Sequence, residues 1–352
     1  MNTKNLAMEE MKKTAISVNS SIFHYLEPLK EENSSLYQIA SYLPRLRISN
    51  SQPTLRPFLV RLGYEITGGK DYLDILPIMA AVELLNMSTY VIDDIFDNCP
   101  LRQGKKAVHE KYGEANAVIT GMLLREIAEE NLHSVTIPEN KLKQILKLFV
   151  ETHKTIYIGQ YLDLDINNKK ITEEEYIKRS YLITGAFIKN CLLLGMYVNT
   201  VDDNTFSAIE TFGKNYGIAL QIRNDLMDFI LSKQIIYKDK IPSSSLKGVS
   251  HVDVKEGKPV LPIIHALESS SKFEEQIIKK VLGNQKATPS DLLELNKILK
   301  NLGSFEYTIK KVDEYRKKAI NALFSVSDSK TKTILLGLTQ LIDNIYSWKF
   351  TF

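Results

Sequence analysis

The chain has 352 residues, 44% hydrophobic and 25% charged, enough to bury a full core in one large domain or two. A net charge of +3, with no dense Lys/Arg stripe interleaved with aromatics, excludes nucleic acid as the main partner. Two cysteines, Cys99 and Cys191, exclude a disulfide scaffold and a thiolate zinc site. No apolar run is read as a bilayer span, and Met1 to Asn5 lack a signal-peptide core, so a soluble cytoplasmic protein is expected.

Nearly every segment reads with helical period. Apolar positions such as Leu6, Met11, Ile16, Ile22 and Leu26 recur among charges from about 5 to 30. Short amphipathic pieces follow at 36–48 and 55–67, separated by the breaker-rich stretch Ser49 to Pro53. A long apolar helix is predicted from about 73 to 98, stopped by Pro100. Further helices are predicted at 106–130, 139–165 and 172–200, the last opened by a capping box, Thr172 to Glu175. Another long one spans 204–232. From Lys233 to Lys258 the periodicity fades into lysine, serine, glycine and proline, the texture of a lid loop. Helical pattern returns at 259–282, 289–301, 305–325 and 329–347. There is no strand alternation, repeat or linker, so one all-α domain over 1–352 is expected, with N-terminal helices in 1–50.

The chemistry-bearing stretch is Asp93, Asp94 and Asp97, followed by Arg102. On a helix, Asp93 and Asp97 share a face, and carboxylates so spaced repel unless a cation sits between them. Far down the chain, Asn224, Asp225 and Asp228 repeat the spacing in another apolar helix. Two such clusters face to face would make an oxygen-lined Mg2+ site, leaving positions open for phosphates.

Asp93 to Gly104 resembles the first aspartate-rich motif of the trans-isoprenyl diphosphate synthase (polyprenyl synthetase) family. Gly159-Gln160 through Asp163-Leu164 is similar to the Gly-Gln-x-x-Asp-Leu of that family, and Gly217 to Asp228 to its second acidic motif. Val252 to Pro262 resembles its lid segment; Leu55-Arg56-Pro57 and Ile183-Thr184-Gly185 sit where further motifs fall. The resemblance implies an isoprenoid synthase-type helical bundle around a deep central cavity, in a homodimer. It also implies three Mg2+ ions on Asp93, Asp97, Asp163, Asn224 and Asp228, with Asp94 beside them, holding an allylic prenyl diphosphate. A departing diphosphate carries about three negative charges, which metal ions stabilise in a water-poor site. Arg102, Lys247 and Lys258 are expected on its oxygens, and Gln160 and Gln221 as positioners near acidic ligands.

The departures from the family pattern carry information. Elongating members hold isopentenyl diphosphate in a second, metal-free anion site built from a lysine, a histidine or glutamine, and two arginines. Here Pro53, Asn86 and Gln103 occupy the first, second and last of these places, and Arg56 alone remains. Losing two charge-assisted contacts costs roughly 3–6 kcal/mol, unless Lys105 or Lys106 substitutes. Ile183 replaces the lysine before Thr184, and Arg179, one turn earlier, is expected to reach over the gap. Asn224 replaces an aspartate, as in class I terpene synthases.

Three readings follow. The favoured one is a terpene synthase that ionises an allylic diphosphate and captures the cation internally, with Tyr90, Phe96, Tyr161, Phe187 and Tyr216 as candidate walls. The second is a prenyltransferase, elongating with isopentenyl diphosphate or alkylating an uncharged acceptor. The third is a non-catalytic regulatory subunit. Small residues at Ser88 and Thr89, one turn below Asp93, predict room for a C20 chain, with C15 next, unless Met122 blocks the way.

Overall fold

The computed structural model describes residues 2–49, 53–167, 169–229 and 251–342. Among these residues the regular structure is seventeen α-helices and one two-stranded hairpin, so the chain is all-α as expected. Helix α1 (Thr3–Glu32) is capped by the Asn2 side chain, which accepts from the Lys4 N–H. Asn33 ends it and starts α2 (Ser34–Ala40) by accepting from the Leu36 N–H at 3.0 Å. The piece predicted at 36–48 therefore contains two helices, α2 and α3 (Tyr42–Ser49).

Helix α4 (Leu55–Ile66) is followed by a 3-10 turn and by α5 (Leu76–Phe96), whose buried residues face almost every direction. Tyr72–Phe96 is long and apolar enough to cross a membrane, contrary to the sequence reading, but most of it is buried inside the fold, the signature of a core helix. A short helix α6 (Val108–Tyr112) leads into α7 (Glu114–Leu132), which packs along α5. The close approach is visible at Ser88, whose hydroxyl donates to the Gly121 carbonyl at 2.7 Å.

Helix α8 (Glu139–Asp165) runs over the predicted bounds. The next segment, predicted as one helix, is three pieces: α9 (Glu173–Ser180), a π-turn (Tyr181–Gly185) and α10 (Ala186–Met196). The predicted capping box opens α9, with Glu175 and Thr172 exchanging hydrogen bonds of 2.8 and 3.2 Å. Helix α10 presses on α4 so closely that a Cβ on Gly195 would lie 1.9 Å from the Val60 carbonyl oxygen. Helix α11 (Asp203–Met227) packs between α10 and the later helix Ser304–Ala322.

Beyond the undescribed stretch 230–250 come α12 (Val252–Glu256), α13 (Leu261–Ser269), α14 (Lys272–Val281), α15 (Pro289–Asn301), α16 (Ser304–Ala322) and α17 (Lys330–Ile342). Most of the predicted lid, including Lys247, lies outside the described residues. Helix α17 packs back along α1, where Lys330 reaches Glu10 at 3.0 Å.

Candidate active site

The first acidic cluster closes α5. Asp93 lies in the last turn, and Asp97 caps it, its N–H donating to the Asp93 carbonyl at 2.8 Å. The chain then forms a hairpin, Leu101–Arg102 paired with Lys105–Lys106. Its two central residues, Gln103 and Gly104, have φ of 54° and 75°, the left-handed pair that a tight hairpin turn demands. This turn folds Arg102 back onto Asp94, its Nε 3.0 Å from both carboxylate oxygens, with both side chains buried. The structure therefore sets Arg102, expected on the diphosphate, and Asp94, expected beside the metal, on each other.

The second cluster is built by α8, α9, the π-turn and α11. Gly159 lets α8 run against the π-turn, since a Cβ there would lie 2.9 Å from the Ile183 nitrogen. One turn on, Asp163 is buried and meets Arg179 at 3.1 Å. Gln160, between Gly159 and Asp163 in sequence, is half-buried. Arg179 also reaches Asp225 at 3.2 Å, so it braces α8 to α11. Asp225 further accepts from the Tyr176 hydroxyl at 2.7 Å and from Gln221 Nε2 at 2.6 Å, and the Thr184 hydroxyl donates to Gln221 Oε1. Burial pushes the Asp225 carboxyl up to about 6 against the pull of Arg179. Arg179, expected to reach over the gap at Ile183, and Gln221, expected as a positioner, thus form one network with Thr184 on Asp225. Asn224 is half-buried at the neighbouring position. Asp228 anchors the returning chain, accepting from the Val252 and Asp253 N–H groups at 3.1 and 3.0 Å.

Lys258 joins the clusters. Its ammonium lies 2.8 Å from Asp97, 3.0 Å from Asp163, 3.0 Å from Glu256 and 3.9 Å from Asp253. Burial alone would lower its pKa, but the surrounding carboxylates outweigh that and hold it well above the ordinary lysine value. The donors are carboxylate and amide oxygens of the kind Mg2+ takes, although among the described residues no three acidic side chains stand close enough to hold an ion as they are. Asp93, Asp97, Asp163, Asn224 and Asp228 are the residues that would hold the ions.

A second polar group lies further back along the same face of α5, where Glu83, Asn86 and Tyr90 precede Asp93 by one to three turns. Arg56 donates from Nη1 to the Tyr90 hydroxyl at 3.2 Å, and its guanidinium lies 4.7 Å from the Phe187 ring centre. Arg102 lies 4.9 Å from the Tyr90 ring centre. Buried Arg47 of α3 pairs with buried Glu83 of α5, and Asn86 donates to the same Glu83 oxygen at 3.4 Å. Burial lowers Arg47 to about 10. Burial would raise the Tyr90 phenol, but Arg56, Arg47 and Arg102 outweigh it and bring it down to about 8. Sequence reasoning missed Arg47, which lies outside every motif. The available signal was Glu83, because a carboxylate inside an apolar helix requires a cation.

Some expected neighbours face elsewhere. Phe96 and Tyr161 are 44% and 67% exposed, so they are not interior walls, and Tyr216 stacks on Phe212 in the core. Met122 is 62% exposed and blocks nothing inside. Thr89 is half-buried, its hydroxyl donating to the Asn86 carbonyl at 2.9 Å, while Ser88 faces α7.

An all-α bundle in which acid-bearing helices converge on one buried lysine defines an isoprenoid synthase-type fold. The chain belongs to the polyprenyl synthetase family, whose model matches residues 47–299. It is similar to a geranylgeranyl diphosphate synthase of Methanosarcina mazei, 28% identical over 95% of this chain and 96% of that one. The crystal structure of a geranylgeranyl pyrophosphate synthetase from Pyrococcus horikoshii superposes with a TM-score of 0.84 at 27% identity, covering 99% of this chain and 100% of that one. A geranylgeranyl pyrophosphate synthase from Corynebacterium glutamicum, solved with isoprenyl diphosphate and magnesium, shares the fold at a TM-score of 0.81 and 19% identity, over 94% and 98% of the two chains.

Proposed function

We propose that the protein is a Mg2+-dependent prenyltransferase, acting as one catalytic domain in the cytoplasm, that joins isopentenyl diphosphate to an allylic diphosphate. The observation that carries this reading is the near full-length likeness to geranylgeranyl diphosphate synthases. It displaces the terpene synthase reading, which rested on a depleted second anion site. Arg47 lies near Arg56 and Tyr90, but its charge is matched by Glu83.

In this reading the allylic C–O bond breaks and its electron pair leaves with diphosphate. The isopentenyl double bond supplies the new C–C bond, and the proton released with it passes to the diphosphate. Mg2+ on the acidic cluster would neutralise the departing charge. Lys258, once drawn off Asp97 and Asp163, donates to the same oxygens. Arg179 and the Thr184–Gln221–Asp225 chain hold the acidic helices in place. Arg56 and Tyr90 bind the acceptor diphosphate. The small side chain at Thr89 favours C20, with C15 next; Ser88 faces α7 and does not bear on chain length. Exposed Ile119 and Met122 of α7 with Tyr157, Ile158 and Tyr161 of α8 supply an apolar face for a homodimer.

The test is to incubate the protein and Mg2+ with C10, C15 or C20 allylic diphosphate, with and without isopentenyl diphosphate. A longer diphosphate formed only with isopentenyl diphosphate is expected. Hydrocarbon released from one allylic substrate alone overturns the proposal in favour of a terpene synthase.

A further inference from the structure

Away from the acidic clusters, an open cleft of about 540 Å3 lies between the end of α1, α2, α3 and α6. Three cations line it, Lys30, Arg45 and Lys111, with the rings of Tyr37, Tyr42 and Tyr112. No carboxylate belongs to the lining. Glu27 at its edge pairs with Lys30 at 2.9 Å and accepts from the Tyr37 hydroxyl at 3.3 Å.

Arg45 and Lys111 make no ion pair among the described residues, unlike surface lysines such as Lys13, Lys143 and Lys279, each of which holds a glutamate one turn away. They rest on aromatic faces instead. Lys111 Nζ lies 3.9 Å from the Tyr42 ring centre and 4.9 Å from that of Tyr112, and Arg45 lies 5.4 Å from that of Tyr37. A ring face attracts a cation but takes none of its N–H donors as a carboxylate oxygen would, so both keep hydrogen bonds to give. Against Glu27, the three cations leave two positive charges in excess.

We propose that this cleft binds a phosphate monoester. At neutral pH such a group carries about −1.5 to −2 charges and strong acceptor oxygens, which match the excess charge and the unused donors. The tyrosine rings flank the carbon part of the ester. The site is distinct from the prenyl transfer centre yet joined to it, because the Tyr42 hydroxyl donates to the Lys106 carbonyl at 2.9 Å, in the hairpin that carries Arg102. The same chemistry is offered by a free prenyl monophosphate or by the headgroup of phosphatidic acid.

The experiment measures binding of the full chain, in EDTA, to farnesyl monophosphate by calorimetry and to phosphatidylcholine vesicles with and without phosphatidic acid by co-sedimentation. The double variant Arg45→Glu/Lys111→Glu changes two exposed side chains. It is expected to weaken binding at least about tenfold, with prenyl transfer unchanged. Arg56→Ala is expected to leave this binding intact. Loss of farnesyl monophosphate binding in the double variant identifies a soluble ester as the ligand; loss confined to phosphatidic acid vesicles identifies a headgroup. Binding that the double variant leaves unchanged, or absence of binding by the unmodified chain to either probe, overturns the proposal.

Discussion

The two polar groups strung along one face of α5 are built on different terms. In the acidic group carboxylates share cations or backbone donors: Asp97 and Asp163 share Lys258, Asp163 and Asp225 share Arg179, and Asp228 holds two backbone N–H groups. In the Arg56 group, buried Arg47 Nε, Arg56 Nε, Glu83 Oε2 and Asn86 Oδ1 have no hydrogen-bond partner among the described residues. Buried polar atoms are normally paired, and orphans mark a place where something else binds. The acidic group is braced by ion pairs, although Arg179 Nε there also has no hydrogen-bond partner among the described residues; the Arg56 group holds fewer pairs and more unmet donors and acceptors. In the prenyltransferase proposed, the acidic group would ionise one substrate and the Arg56 group would hold the other.

The comparison breaks most visibly in the acidic group. Asp93→Ala or Asp97→Ala should lower diphosphate release by at least about 10²- to 10³-fold, because metal stabilisation of the leaving charge is worth several kcal/mol. Circular dichroism should show the fold intact, and near-normal release measured by a phosphate-coupled assay would end the metal reading. Next in size is Lys258→Ala, which leaves Asp97 and Asp163 buried against each other without their shared cation. Removing one partner of a buried pair costs about 3–5 kcal/mol, so the melting temperature should fall, and Mg2+ should restore it in the variant more than in the parent. Equal shifts with Mg2+ would show that Lys258 and the metal do not address the same carboxylates.

In the Arg56 group the effects should be smaller and selective. Arg56→Ala removes a charge-assisted contact of about 1.5–3 kcal/mol, so KM for isopentenyl diphosphate should rise roughly 10- to 150-fold while that for the allylic substrate stays near its parent value. A parallel rise in both would erase the distinction between the groups. The mildest effect concerns pH. The Tyr90 phenol is brought down to about 8, so above that pH it becomes an anion facing the acceptor. KM for isopentenyl diphosphate should climb as pH passes 8, and Tyr90→Phe should flatten the climb. A profile identical in the two proteins would remove Tyr90 from the acceptor site.

Much of this was legible from local pattern. The bounds of α8, the capping box at Thr172 and the run of helices follow from periodicity and side-chain chemistry within a few residues. Motif order set Asp97 and Asp163 in one expected site, but Lys258 was expected on diphosphate oxygens and instead lies on the two carboxylates. Partner choice was not legible. Arg102 turns onto Asp94 because Gln103 and Gly104 take left-handed φ, and nothing in Arg102 itself distinguishes that from reaching outward. Arg47 escaped because its match, Glu83, lies on another helix. Tyr161 and Phe96 read as interior aromatics, yet only the packing of neighbouring helices decides which face is covered.

The acidic residues also share an address. Asp97 caps the C-terminal end of α5, Asp163 lies in the last turn of α8, and Asp225 and Asp228 stand at the C-terminal end of α11. Each peptide dipole sum puts roughly half a negative charge at such an end. Three helices therefore aim their negative poles at a region already crowded with carboxylates, the reverse of the usual arrangement in which cations cap these ends. The backbone itself is part of the cation trap: the fold raises the local field before any side chain is counted, and positive charge arriving there relieves repulsion stored in three helices at once.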